Sequence, residues 1–109
     1  MTDILLVYIP CQSSEQASQI GKQLLQKRLC ACINTIPGME STYFWPPKSD
    51  TFESNHEVVL IAKTVESKYQ ALEEEVTKLH TYDNPCILAI PVSHVRKEYY
   101  DWLIGELTV

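Results

Sequence analysis

The chain opens with an unbroken apolar run, Ile4-Leu5-Leu6-Val7-Tyr8-Ile9, rich in β-branched residues and bounded by Pro10. That pattern predicts a strand buried on both faces. Ser13 and Ser14 offer caps for a following helix, with Gln16 at the capping-box position after Ser13. Ala17, Ile20, Leu24, Leu25 and Leu29 then recur at helical spacing, while Lys22, Gln23, Gln26 and Lys27 face away. The basic residues fall late in the helix, where its dipole favours them. A second strand is expected over Cys32–Ile36, stopped by the turn signal Pro37-Gly38. Glu40–Trp45 resumes with β-favouring residues, and Pro46–Asn55 reads as an exposed hairpin tip. Glu57–Thr64 is the next strand, apolar throughout with charges near its ends.

Ser67 is expected to cap a second helix, with Gln70 at its capping-box position. Tyr69, Leu72, Val76 and Leu79 form one helical face, and Glu73, Glu74 and Glu75 decorate the other side. His80–Pro85 reads as a loop, Cys86–Val92 as a fourth strand, and Lys97–Leu107 as a terminal helix anchored by Tyr100, Trp102 and Leu103. The order is β-α-β-β-α-β with an added C-terminal helix, in a single domain over residues 1–109. Two split βαβ units of this kind predict an α+β, ferredoxin-like sandwich with both helices on one face of an antiparallel sheet. The opposite face then needs cover. On a chain of 109 residues the expected cover is another subunit.

Composition narrows the function. Nine basic against fourteen acidic residues leave a net charge of −5, which argues against a protein built to grip nucleic acid or an anionic membrane. Hydrophobic content of 45% is that of a globular fold. The first apolar run is too short to span a membrane and lacks the features of a secretory signal. The expected location is cytoplasmic, with four free thiols. Three glycines exclude a glycine-rich phosphate cradle.

The densest chemistry is His80-Thr81-Tyr82-Asp83-Asn84-Pro85-Cys86. Imidazole and thiol together suit a soft or borderline cation such as copper or zinc. The same stretch also reads as a structural loop: Asp83 and Asn84 are turn formers, and His80 suits a helix C-terminus. Cys30 and Cys32 admit two readings as well, a thiol pair for a soft cation or packed structural cysteines. Tyr43, Phe44 and Trp45 invite base stacking, but the RNA-binding sheet motif is absent and the charge is wrong, so they are expected to pack on a neighbour.

Lys27-Arg28-Leu29-Cys30-Ala31-Cys32-Ile33-Asn34-Thr35-Ile36-Pro37-Gly38, followed by Ser41–Trp45, resembles the CutA divalent-cation-tolerance family. So do Glu57, Lys63-Thr64, the His80-x-Tyr82-x-x-Pro85 loop, Pro91-Val92 and Tyr100-x-Trp102-Leu103, together spanning nearly the whole chain. The resemblance implies a compact homotrimer that binds copper or another divalent cation and is not an enzyme. Its only partners would be further copies of itself and the metal, with no nucleic acid or membrane, and no cofactor needed for folding. His80 is the implied metal ligand, with Cys86 and Cys11 as further donors. Trp45, Glu57, Lys63 and Tyr82 are implied to line a cleft between subunits. The chain departs from the family pattern at Thr81, where proline is common, and at Cys86, where glutamate is usual. It departs again in the longer Pro46-Pro47 tip, and at Tyr8, which stands where a metal-binding cysteine is attributed elsewhere. A PII-like regulatory trimer holding a small molecule in its clefts is the alternative. An enzyme of similar fold ranks last, because no nucleophile–base pair or anion loop is recognisable.

Overall fold

The computed structural model describes residues 2–109. The elements follow in the order β1 (Ile4–Cys11), α1 (Ser14–Gln26), β2 (Cys32–Phe44), β3 (Phe52–Val65), α2 (Tyr69–Leu79), β4 (Leu88–Pro91) and α3 (Lys97–Leu107). The four strands form one antiparallel sheet in the order β2-β3-β1-β4. This is the α+β, ferredoxin-like arrangement that the hydrophobic pattern predicts.

Strand alternation divides the apolar residues between two faces. Leu5, Val7, Ile9 and Cys11 of β1 join Val58, Leu60 and Ala62 of β3 in the main core, against Ala17, Ile20 and Leu24 of α1 and Leu72 and Val76 of α2. Gly21 lets α1 approach the sheet closely, since a β-carbon there would collide with the Ile33 side chain. On the other face, α3 covers one end through Leu103 and Leu107 against Ile4 and Val65. The rest of that face is open: Ile36, Leu88 and Ile90 are 50%, 55% and 51% exposed.

Several boundaries differ from the sequence-based expectation, each for a local reason. β1 does not stop before Pro10 but runs to Cys11. Pairing with β4 ends at Tyr8, so the missing Pro10 N–H takes nothing from the sheet. Pro37-Gly38 does not end β2 either. It forms a bulge, with Gly38 at φ 85°, after which pairing resumes at Met39↔Glu57. The hairpin tip is shorter than expected, because β3 begins at Phe52. Cross-strand pairs turn this polar stretch into ribbon: Thr42 and Ser54 share a hydroxyl hydrogen bond of 2.9 Å, and the Phe44 and Phe52 rings lie 5.2 Å apart.

Ser13 caps α1 as expected, accepting the Gln16 N–H at 3.1 Å. The reciprocal arm is shifted by one residue, since Gln16 Oε1 accepts from the Gln12 N–H rather than from that of Ser13. Ser67 does not cap α2. A 3-10 turn over Glu66–Lys68 leads into the helix, and no side chain caps it. β4 is shorter than the Cys86–Val92 run, and its Leu88 and Ile90 are exposed. α3 matches its expected span, but Trp102 is not an anchor; it stands 46% exposed and packs on Tyr99 with ring centroids 5.6 Å apart.

Candidate metal centre

The densest loop of the sequence folds against the end of β1. His80 caps α2 at its C-terminus and is buried. Its Nε2 lies 2.8 Å from the Pro10 carbonyl, and its Nδ1 accepts the Tyr82 N–H at 3.2 Å. An acceptor at Nδ1 fixes the neutral tautomer with the proton on Nε2, which donates to Pro10. Both ring nitrogens are therefore engaged by backbone groups. The Tyr82 ring packs on the imidazole at 4.5 Å, and its hydroxyl donates to Glu57 Oε2 at 2.9 Å. Thr81 completes the joint, accepting from Gln16 Nε2 at 2.7 Å and donating to Gln12 Oε1 at 3.2 Å.

Glu57 is the hub on the strand side. It precedes Val58, the register partner of Cys11. Burial pushes the Cys11 thiol up to about 11, and the Glu57 carboxylate adds to that rise. Cys86, an exposed residue, is raised by the same two causes in the same order. Tyr82 reaches about 12, first through burial and then through its bond to Glu57. The Glu57 charge thus reaches two thiols from distant parts of the chain, while the Cys11 thiol itself donates to the Ile9 carbonyl at 3.5 Å. No group of three His, Cys, Asp or Glu residues with metal-holding geometry occurs among the described residues.

The four residues implied to line a cleft do not meet within one chain. Glu57 and Tyr82 touch, whereas Lys63 stands six residues along β3, roughly 20 Å away. Lys63 Nζ donates to the Tyr99 hydroxyl at 3.3 Å and sits 5.3 Å from that ring's centroid. Trp45 lies at the hairpin tip, next to the Phe44–Phe52 end of the ribbon. Cys30 packs in the main core, its thiol pushed up to about 12 chiefly by burial, while Cys32 begins β2 opposite Lys63. Residue-by-residue reading misses Met39, whose sulfur accepts the Tyr8 hydroxyl at 3.2 Å. The missed signal is Pro37-Gly38: as a bulge rather than a turn, it carries Met39 beside Glu57.

The raised acids predict an alkaline limit to stability. The folded state holds the protons of Cys11, Cys30 and Tyr82 more tightly than the unfolded chain does. Their contribution is complete below the ordinary thiol value near 9 and is lost as pH rises through about 11 to 12. The urea midpoint should fall over that window, and Cys30→Ala should flatten the fall. A pH-independent midpoint would contradict it.

Comparison with known proteins agrees with the fold. The family model for the CutA1 divalent ion tolerance protein matches residues 5–106. The divalent-cation tolerance protein CutA of Archaeoglobus fulgidus is 39% identical over 97 residues, covering 89% of this chain and 91% of that one. The chloroplastic CutA protein of Arabidopsis thaliana is 34% identical, covering 91% of this chain and 53% of its own length. A solved A. fulgidus structure, described as a periplasmic divalent cation tolerance protein, superposes with a TM-score of 0.89 at 36% identity, covering 95% of this chain and 98% of that one. With the ferredoxin-like sheet, the His80–Tyr82–Glu57 joint and these similarities in hand, the chain belongs to the CutA1 divalent ion tolerance protein family.

Proposed function

We propose that this chain binds a divalent cation, copper or zinc, as one subunit of a homotrimer, and that it acts as a binding protein rather than an enzyme. The observation that carries the reading is membership of a divalent ion tolerance family, supported by two thiols, Cys11 and Cys86, that both feel the Glu57 charge. Two sulfurs and a carboxylate suit a borderline or soft cation. His80 positions this group by tying its loop to Pro10; coordination by His80 would require giving up one of its two backbone bonds. The homotrimer reading draws support from the half-exposed Ile36, Leu88 and Ile90 on the open sheet face. Glu57, Lys63 and Trp45, which one chain holds far apart, would share a cleft only across a subunit boundary. No helix among the described residues is long and apolar enough to cross a membrane. The four free thiols suit the reducing cytoplasm, which we take as the location.

The thiols must lose their protons to bind, so affinity should rise with pH as the raised acids are titrated. Metal-free protein titrated with Cu²⁺ and Zn²⁺ should take up cation, with mass by native spectrometry near three times 12.5 kDa. Cys11→Ser with Cys86→Ser should weaken uptake about tenfold or more, since ligand loss costs at least as much as loss of a supporting group. Unchanged uptake in the double variant would reject this donor set.

A further inference from the structure

We infer that Lys63 and Tyr99, with the Trp102 indole beside them, form a binding site for a small aromatic carboxylate on the sheet face that α1 and α2 leave open. This site uses none of the donors of the cation-binding reading above.

Strand register places it. Ala62 points into the main core, so Lys63 points to the opposite face. Its direct neighbours there are Cys32 on β2 and Leu6 on β1, with Ile90 beside Leu6 on β4. That row holds no carboxylate. α3 closes one side: Tyr99, in its first turn, accepts a hydrogen bond from Lys63 Nζ at 3.3 Å and packs on Trp102 with ring centroids 5.6 Å apart. The ammonium lies 5.3 Å from the Tyr99 ring centroid, within cation–π range.

The hydrogen bonding of this pair is one-sided. An ammonium carries three protons, and among the described residues Lys63 places one of them, on Tyr99. The Tyr99 hydroxyl accepts that bond and has no acceptor for its own proton among the described residues. No Asp or Glu among them pairs with Lys63 within 4.0 Å. The acids of α3 closest in sequence to Tyr99 are engaged elsewhere, Glu98 by Arg96 at 2.9 Å and Asp101 by Lys97 at 2.7 Å. Donors without acceptors select an anion, and a carboxylate can take charge-assisted bonds from both groups. Lys63 is partly buried among apolar side chains, which strengthens that attraction relative to open water. The half-exposed Trp102 indole and the Ile90 side chain leave apolar surface for the body of the ligand, and an indole favours a ring. An inorganic anion would leave that surface uncovered; an aromatic carboxylate satisfies both.

Benzoate serves as the probe, on the full chain, with benzamide as the same shape without charge and acetate as the charge without the ring. Benzoate should bind at least about tenfold more tightly than either. The sequence holds two tryptophans. In the Trp45→Phe variant the remaining indole N–H signal reports Trp102, and it should shift on benzoate addition. Lys63→Met keeps the apolar stem and should lower benzoate affinity about tenfold or more; Tyr99→Phe keeps the ring packing and should lower it roughly threefold. Lys22→Met, on the exposed side of α1, should change nothing. If Lys63→Met fails to fold, Tyr99→Phe decides. Equal affinity for benzoate and benzamide, or unchanged benzoate affinity in the Lys63 and Tyr99 variants, overturns the inference. So does a wild type that binds no benzoate, the result expected if a carboxylate of a second copy satisfies Lys63 instead. Any of these results leaves the cation-binding reading standing, since the metal titration tests it separately.

Discussion

Replacing Ile90 by Glu is expected to convert the homotrimer proposed here into single chains. Ile90 lies on β4, paired with Leu6, on the sheet face that α1 and α2 do not cover. With Ile36 and Leu88 it leaves half-exposed apolar surface on each subunit. Burying the remainder of three such side chains is worth roughly 2–4 kcal/mol per subunit. A carboxylate at the same place carries a desolvation penalty of several kcal/mol unless a partner is supplied. The penalty is comparable to the apolar gain of the entire patch and adds to the loss of the Ile90 share, so association should fail rather than weaken. Light scattering would show the mass fall to that of one chain, whereas Glu74→Gln, on the exposed side of α2, should leave it unchanged. An Ile90→Glu protein that keeps the trimer mass would place the interface elsewhere.

The second large effect is expected from His80→Ala, and it should appear before any metal is added. The imidazole bonds two backbone groups, the Pro10 carbonyl and the Tyr82 N–H, in a buried setting. Each bond contributes about 1 kcal/mol, and a buried group left without a partner costs about 1–3 kcal/mol. A loss of roughly 2–4 kcal/mol follows, a large share of the stability of a small domain. It would also free the Tyr82 ring from its packing on the imidazole and weaken its hold on Glu57. Denaturant unfolding in the presence of a chelator measures this loss. His80→Gln should recover part of it, since an amide can still donate to Pro10. If the chelated variant is as stable as wild type, His80 is no anchor, and a direct role as ligand gains support.

The periodic parts of the fold were legible because burial enforces their pattern. β1, α1, α2 and α3 each follow the spacing of residues that face the core, and Leu24, Leu72, Val76 and Leu103 are fully buried where the spacing puts them. Punctuation was less legible. Pro10 and Pro37-Gly38 read as stops, yet a strand tolerates proline where no sheet hydrogen bond is needed, and glycine where a bulge needs positive φ. Ser67 read as a cap, but the chain enters α2 through a 3-10 turn that places no hydroxyl there. At the candidate site, the concentration of His80, Tyr82 and Cys86 was visible as local composition. The contacts of His80 with Pro10, Tyr82 with Glu57 and the intervening Thr81 with Gln16 span 70, 25 and 65 residues and have no local signature.

The sequence by itself determined the order of elements, the two-helix sandwich and the need for cover on the second sheet face. All three follow from how many apolar residues recur at period two or 3.6 in a chain of this length. Only the tertiary structure decided what His80 holds, that Tyr82 bonds the Glu57 carboxylate, and that Met39 pairs with Glu57 across the sheet. Hydrophobic periodicity records which face of an element is buried. It carries no record of strand register or of side-chain reach across the sheet, and those two quantities build the site.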